Sequence, residues 1–141
     1  MANRVIAPTD FSDQAHRGVD MARSMLQRAE DLTIVHVAPP AESFGAGDPA
    51  LAWQVISDQA RSNDLKEMLA RQFSDPQYQG VNFEVAFGAP AEEITELASK
   101  LDADLIVLPS HGRSGLARLM IGSVAERVVR LAHCPVLVLR D

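Results

Sequence analysis

Short apolar runs alternate with longer segments of helical periodicity along almost the whole chain. The apolar runs are residues 4–8, 32–37, 81–87, 105–108 and 136–139. Residues 105–108 are apolar at every position, which indicates a strand buried on both faces, whereas residues 81–87 alternate apolar and wetter positions, which indicates an edge strand. Strands that alternate with helices are typical of a parallel sheet with helices on both faces. The sequence therefore predicts an α/β fold.

Helix signals fill the gaps between these runs. Ser12 is a predicted N-cap for a first helix, and residues 51–73 suggest a long amphipathic helix with a polar interruption at residues 61–64. Pro90 stands at the first position of a third helix, where its missing N–H costs nothing. A fourth helix is predicted over residues 123–133.

Length and charge limit the function classes. The 141 residues, 47% of them apolar, predict one compact domain over residues 1–141, and the single Cys134 excludes an internal disulfide. No apolar run approaches the roughly 18 residues that span a bilayer, so we expect a soluble, cytoplasmic protein that acts away from membranes. A net charge of −6 disfavours nucleic acid. Residues 110–141 nevertheless carry +3 and the first 109 residues −9, which favours a small anion as ligand.

A glycine-rich segment, residues 109–126, lies between the buried strand and the fourth helix, where open α/β sheets usually hold their ligands. Gly112 and Gly122 allow the backbone to approach a ligand closely, and Arg113 offers charge-assisted contacts. Free N–H groups at the start of the fourth helix favour a phosphate. The alternative is a capping box between Ser123 and Glu126, which would satisfy those N–H groups without any ligand.

Asp10 directly follows the first strand and would face the same crevice as the end of the 105–108 strand. A carboxylate there suits a ligand hydroxyl or a phosphate-bound Mg²⁺. The alternative is an aspartate that only closes a turn or caps a helix.

Five landmarks recur in order along the chain. They are Pro-Thr-Asp-Phe-Ser at 8–12, His-Val at 36–37, Gly-x-Pro at 88–90, Ser-His-Gly-Arg-Ser-Gly at 110–115 leading to Gly-Ser-Val-Ala-Glu at 122–126, and Cys-Pro-Val-Leu-Val at 134–138. Together they resemble the universal stress protein family over essentially the whole chain. The resemblance implies an open, Rossmann-like, five-stranded parallel sheet of order 3-2-1-4-5. It also implies a stress-response regulator or sensor that binds ATP or a related adenine nucleotide between the first and fourth strands.

The resemblance implies a nucleotide site drawn from separate segments of the chain. Its residues are Pro8, Thr9, Asp10, Val37, Gly112, Arg113, Gly122, Ser123 and Val124. The family's nucleotide-binding branch carries Gly-x-x-Gly, nine residues, then Gly-Ser/Thr, but this chain has Pro109 at the first glycine. Proline removes a backbone donor and fixes φ. A non-nucleotide-binding protein-interaction module is therefore the alternative function.

Catalytic constellations are absent from the sequence. His111 and Asp10 can be drawn as an acid–base pair, but a histidine in a glycine-rich loop more often orients backbone or contacts solvent. Cys134 is expected to be a structural thiol, and His36 a satisfied, partly buried residue. We expect no enzyme activity beyond slow ATP hydrolysis.

The last strand carries a prediction about assembly. By the family's strand order it lies at a sheet edge, yet it is uniformly apolar at Val136, Leu137, Val138 and Leu139. An uncovered edge of this kind invites aggregation. We expect the same strand of a second copy to cover it in a homodimer, and the alternative is a covering helix or loop.

Overall fold

A computed structural model describes residues 3–39, 51–111 and 121–140, and at residues 51–57 it describes the backbone only. The strands are β1 (Val5–Pro8), β2 (Leu32–Ala38), β3 (Asn82–Phe87), β4 (Leu105–Pro109) and β5 (Val136–Leu139). The helices are α1 (Asp13–Ser24), α2 (Leu51–Gln72), α3 (Pro90–Lys100) and α4 (Ser123–Leu131). The strands form a parallel sheet of order β3-β2-β1-β4-β5, which confirms the predicted order.

The inner strands are the most buried ones, as their continuous apolar runs predict. β1, β2 and β4 are buried along most of their length, while β3 and β5, at the two edges, are half-buried. The alternating run 81–87 is thus an edge strand, as expected. Burial on both faces is possible only for the strands that have neighbours and helices on every side.

Two hydrophobic cores lie on opposite faces of the sheet. Successive residues of a strand point to opposite faces, so Val5 joins the core under α1 and α2, and Ile6 joins the core under α3 and α4. Leu69 of α2 packs in the first core and Ile94 of α3 in the second. Burying a side chain of this size contributes about 1.5–3 kcal/mol to folding.

The helices begin largely where the sequence predicts, and the difference lies at the end of α4. The Ser12 Oγ accepts a hydrogen bond from the Ala15 N–H (3.1 Å), so it caps α1 as expected. α2 is one continuous helix through the polar residues 61–64, as predicted, and Arg61 pairs there with Asp58 one turn earlier (3.4 Å). α4 ends at Leu131, two residues before the predicted end. Within the described part of the chain, every helix is too short or too polar to cross a bilayer.

Candidate functional site

The sheet opens between β1 and β4 toward the carboxyl ends of the strands. The two strands pair only at Val5–Leu105 and Ile6–Ile106. Beyond that point each strand bonds outward: the Thr9 N–H donates to Val35 O of β2 (2.8 Å), and the Ser110 N–H donates to Leu139 O of β5 (2.7 Å). The strands therefore diverge and leave a crevice where the strand order reverses, which is the place at which open α/β sheets bind ligands.

A cleft of about 260 Å³ occupies this crevice. Its walls come from the ends of β1, β2 and β4 and from the beginnings of α1, α3 and α4. The lining residues are Pro8, Thr9, Asp10, Ala15, Val37, Pro90, Ile94, Leu108, Pro109, Ser110, Gly122, Ser123, Val124 and Ala125. Most of these side chains are apolar, and a few hydroxyl and carboxylate groups stand among them, which is the usual character of a small-molecule site.

The structure brings most of the predicted site residues together. The members that line the cleft are Pro8, Thr9, Asp10, Val37, Gly122, Ser123 and Val124. Gly112 and Arg113 lie outside the described residues. The sequence reasoning missed Pro90 and Ile94 of α3 as part of this wall. The inward-facing apolar pattern of α3 was the available signal, but it does not separate a residue that lines a cleft from one that fills the core.

Asp10 has a structural role as well as a place on the cleft wall. Its Oδ1 accepts a hydrogen bond from the Ser12 N–H (3.0 Å), an arrangement that closes a tight turn between β1 and α1. Asp10 therefore closes a turn, as the alternative prediction proposed. The carboxylate remains on the wall of the cleft, where a ligand hydroxyl could meet it.

The turn after β1 holds an unusual backbone conformation. Phe11 has φ of +67°, a left-handed value that residues other than glycine rarely adopt and that costs roughly 1–3 kcal/mol. The Phe11 N–H donates to Thr9 Oγ1 (3.0 Å). The ring of Phe11 lies 4.7 Å from that of His36, centroid to centroid. Strain of this kind persists only where surrounding contacts hold the conformation in place.

The start of α4 is not closed by a capping box. The helix begins at Ser123 itself, with Gly122 as its N-cap residue, and none of the described side chains caps it. The Glu126 carboxylate pairs with Arg130 instead of reaching back to the first turn. The capping-box alternative is therefore wrong. Ser123, Val124 and Ala125 all line the cleft, and their N–H groups have no acceptor within the helix. A helix N-terminus in this state favours an anion.

Gly122 is required by a close backbone approach. Its N–H donates to Ser110 O at 2.6 Å. A Cβ at this position would lie 2.8 Å from the same oxygen, closer than real Cβ contacts come. Glycine thus allows the chain to bring the start of α4 against the end of β4, which forms one wall of the cleft.

Charged side chains near α4 are engaged in surface ion pairs. Arg127 pairs with Glu92 of α3, and its hydrogen bond lowers the pKa of the Glu92 carboxyl. Arg130 pairs with Glu126. Both arginines of α4 therefore already have carboxylate partners.

The remaining candidate groups show no catalytic arrangement. His111 is 5% exposed, so of its two expected roles, orienting backbone or contacting solvent, the second is wrong, and its Nδ1 lies 3.2 Å from Ser110 Oγ. His36 is satisfied and partly buried, as predicted. Burial raises the pKa of the Cys134 thiol, aided by the nearby Asp104 charge, so the thiol is a poor nucleophile. The described residues contain no group of three or more potential metal ligands.

Comparison with known proteins gives one consistent family. The universal stress protein family model matches residues 1–140. A universal stress protein of Methanocaldococcus jannaschii is 35% identical, over 97% of this chain and 81% of the relative. Among solved structures, the universal stress protein UspA from Lactobacillus plantarum is 26% identical with a TM-score of 0.73, over 98% of this chain and 97% of that one. A universal stress protein from Archaeoglobus fulgidus, solved in complex with dAMP, is 23% identical with a TM-score of 0.64, over 96% of this chain and 95% of that one.

Proposed function

The chain belongs to the universal stress protein family, and from that premise we propose that it is a cytoplasmic stress-response regulator or sensor that binds ATP or a related adenine nucleotide in the cleft between β1 and β4. The observation that carries the proposal is the conjunction of an apolar cleft at the reversal of strand order with a helix start that no described side chain caps. An adenine nucleotide needs both, because its base is flat and largely apolar and its phosphates are anionic.

The residues of the cleft divide naturally between the parts of such a ligand. Val37 offers an apolar surface for the base, with Thr9 beside it, and Asp10 offers a carboxylate to a ribose hydroxyl. The first-turn N–H groups of α4 and the Ser123 hydroxyl suit the phosphates. Gly112 and Arg113 would contribute further phosphate contacts, as the family resemblance implies.

The Archaeoglobus fulgidus protein contains dAMP, and we extend an adenine nucleotide from that protein to this chain as part of the proposal. A magnesium ion would be held mainly by the phosphates themselves. The described residues offer no cluster of metal ligands, and Asp10 supplies at most one carboxylate.

Ligand binding rather than turnover is the proposed activity. Efficient phosphoryl transfer requires a positioned nucleophile and charge-stabilising groups at the transferred phosphate. In the described part of the site, Asp10 closes a turn and both α4 arginines pair with carboxylates. Any ATP hydrolysis should therefore be slow.

Calorimetric titration of nucleotide-free protein with ATP, with and without Mg²⁺, tests the proposal. We expect one ATP site per chain, and absence of binding at millimolar ATP would refute it. Val37→Trp should fill the cleft and abolish binding. Met21→Trp, at an exposed position on α1, is the matched control and should bind as the wild type does. Mass spectrometry of a denatured sample would identify any nucleotide that co-purifies.

The alternative function, a protein-interaction module that binds no nucleotide, is favoured by Pro109. The Ile106 and Ser110 N–H groups donate to β5, and donors alternate in direction along a parallel strand. The nitrogen of residue 109 therefore faces the crevice, and proline leaves it without a hydrogen to donate. Pro109→Gly separates the two functions: a gain of ATP affinity from nothing would support the alternative.

We also propose that the protein is a homodimer joined through β5. Each residue of Val136–Leu139 is only half-buried at the open edge of the sheet. A second copy that pairs along this strand would remove the open edge. Val138→Lys should shift the mass measured by light scattering from dimer to monomer, whereas the exposed Met21→Lys should not. A wild-type protein that remains monomeric at high micromolar concentration would contradict the proposal.

A further inference from the structure

His36 and Val37 are neighbours on β2 but serve opposite faces of the sheet. Val37 packs with the core under α3 and α4 and lines the cleft. His36 lies on the other face, where its ring contacts Phe11 at 4.7 Å between centroids. The Nδ1 of His36 is 2.8 Å from the Thr9 carbonyl oxygen. Because a carbonyl oxygen can only accept, Nδ1 carries the proton and donates it.

Each polar group of Thr9 makes a hydrogen bond within the protein. Its N–H donates to Val35 O, its carbonyl accepts from His36, and its hydroxyl oxygen accepts from the Phe11 N–H. Thr9 is 5% exposed, so losing one of these partners would leave a buried polar group without its hydrogen bond. His36 thus fixes the peptide that leads directly into Asp10.

The turn at residues 9–12 needs such fixing. Phe11 adopts φ of +67°, a conformation that a non-glycine residue leaves readily unless its surroundings hold it. Within the turn, the Ser12 N–H donates to Asp10 Oδ1 and the Ser12 hydroxyl caps α1. His36 holds the turn from outside, through a hydrogen bond at Thr9 and ring contact at Phe11.

We propose that His36 is a positioning residue for the nucleotide site. From the far face of the sheet it holds the turn in the conformation that presents Thr9 and Asp10 to the cleft, so that the ligand meets a preorganised wall. A preformed wall raises affinity because binding then bears no cost of ordering the turn. This inference rests on the proposed function of the same cleft.

Two substitutions separate the hydrogen bond from the packing. His36→Phe keeps an aromatic ring against Phe11 but has no donor for Thr9. His36→Asn keeps an N–H donor at the place of Nδ1 but has no ring. Without this hydrogen bond ATP must order the freed turn as it binds, and the loss of one neutral hydrogen bond then weakens binding by up to about tenfold. We expect ATP affinity to fall by up to about tenfold in His36→Phe and to stay near the wild-type value in His36→Asn.

A double variant tests whether His36 acts through the turn. His36→Phe combined with Asp10→Ala should weaken ATP binding by less than the product of the two single effects, because both residues act through the same turn. If His36→Phe does not fold, His36→Leu takes its place, since leucine has nearly the shape of asparagine and lacks the donor. Thermal unfolding of each variant confirms that the compared proteins are folded.

The outcomes distinguish this inference from the proposed function. If wild-type protein binds no nucleotide, the proposed function fails and the positioning role fails with it. If wild-type protein binds ATP and the donor-free variants bind it equally well, the positioning role alone is wrong. If asparagine loses affinity while phenylalanine keeps it, His36 acts by packing and the hydrogen-bond mechanism is overturned.

Discussion

We predict that Ser123→Asp maintains or increases the stability of α4 and weakens the binding of phosphate at its N-terminus. Ser123 is exposed, begins the helix and lines the cleft. A carboxylate in the first turn of a helix interacts favourably with the helix dipole, by about 0.3–1 kcal/mol. We therefore expect thermal stability to hold or rise. A phosphate bound at the same N-terminus would meet a new negative charge.

The size of the repulsion follows from Coulomb's law. Two unit charges about 5 Å apart interact by about 0.8 kcal/mol in bulk water and by about 3.3 kcal/mol at the effective dielectric constant of roughly 20 that applies near a protein surface. Ser123 lies between these limits, because it is exposed on a cleft wall. For one phosphate charge at this distance we expect ATP affinity to fall by about 1–3 kcal/mol, or roughly 5- to 150-fold.

Titration calorimetry of the wild type, Ser123→Asp and the neutral control Ser123→Asn checks this reasoning. The aspartate variant should lose ATP affinity and keep adenosine affinity, and the asparagine variant should keep both. The difference should shrink in roughly 1 M salt, where the screening length is about 3 Å. If ATP binds the aspartate and asparagine variants equally well, the phosphates do not lie at α4. An equal loss for adenosine would show that the substitution distorts the cleft.

Four further substitutions test the packing and one surface ion pair. Gly122→Ala should destabilise the fold by about 1–3 kcal/mol in urea unfolding, because its Cβ would lie 2.8 Å from a carbonyl oxygen. Gly18→Ala, inside α1 with nearest neighbours at 3.6 Å, should instead stabilise it by up to about 1 kcal/mol. Ile106→Ala, at a fully buried position, should cost about 2–5 kcal/mol. Arg127→Ala should raise the pKa of Glu92, which NMR titration measures. The Glu92 pKa is lower in the folded than in the unfolded protein, so the ion pair stabilises the fold at neutral pH. That stabilisation is lost as the pH falls through the folded-state pKa.

Most of the fold could be predicted because it follows from periodicity. The continuous apolar run 105–108 became the buried central strand β4, and the alternating run 81–87 became the more exposed edge strand β3. The strand order came from the family resemblance, since periodicity alone does not say which strands are neighbours. The predicted cleft residues also came from the resemblance, and Asp10 alone was placed from the strand order, because the carboxyl ends of parallel strands share one edge of the sheet.

The predicted capping box is wrong because the helix begins one residue earlier than that pattern requires. Ser-x-x-Glu at 123–126 fits the pattern, but the pattern requires Ser123 to stand just before the helix. The hydrogen bond between the Gly122 N–H and Ser110 O fixes Gly122 as the N-cap residue, so Ser123 falls inside the helix. This contact joins two segments through their tertiary arrangement, and no local pattern encodes it.

The backbone conformation of the turn after β1 could not be predicted from the sequence either. Nothing in Pro-Thr-Asp-Phe-Ser marks Phe11, rather than Asp10, as the residue with positive φ, because aspartate is the commoner occupant of that conformation. From β2 the ring of His36 contacts Phe11, and His36 donates a hydrogen bond to Thr9. The partners of this bond lie 27 residues apart in the chain, beyond the reach of turn signals.

Few hydrogen-bond donors in the described site remain for a phosphate, although the net positive charge of residues 110–141 favours an anion. The segment 110–141 is positive, yet Arg127 and Arg130 pair with carboxylates, and Pro109 offers no N–H to the crevice. The N–H groups of Ser110 and Gly122 are already bonded within the protein. Among the backbone N–H groups of the described site, those in the first turn of α4 therefore remain for a phosphate. An added charge at Ser123 should therefore weaken the phosphate contacts of these residues by the roughly 5- to 150-fold expected above.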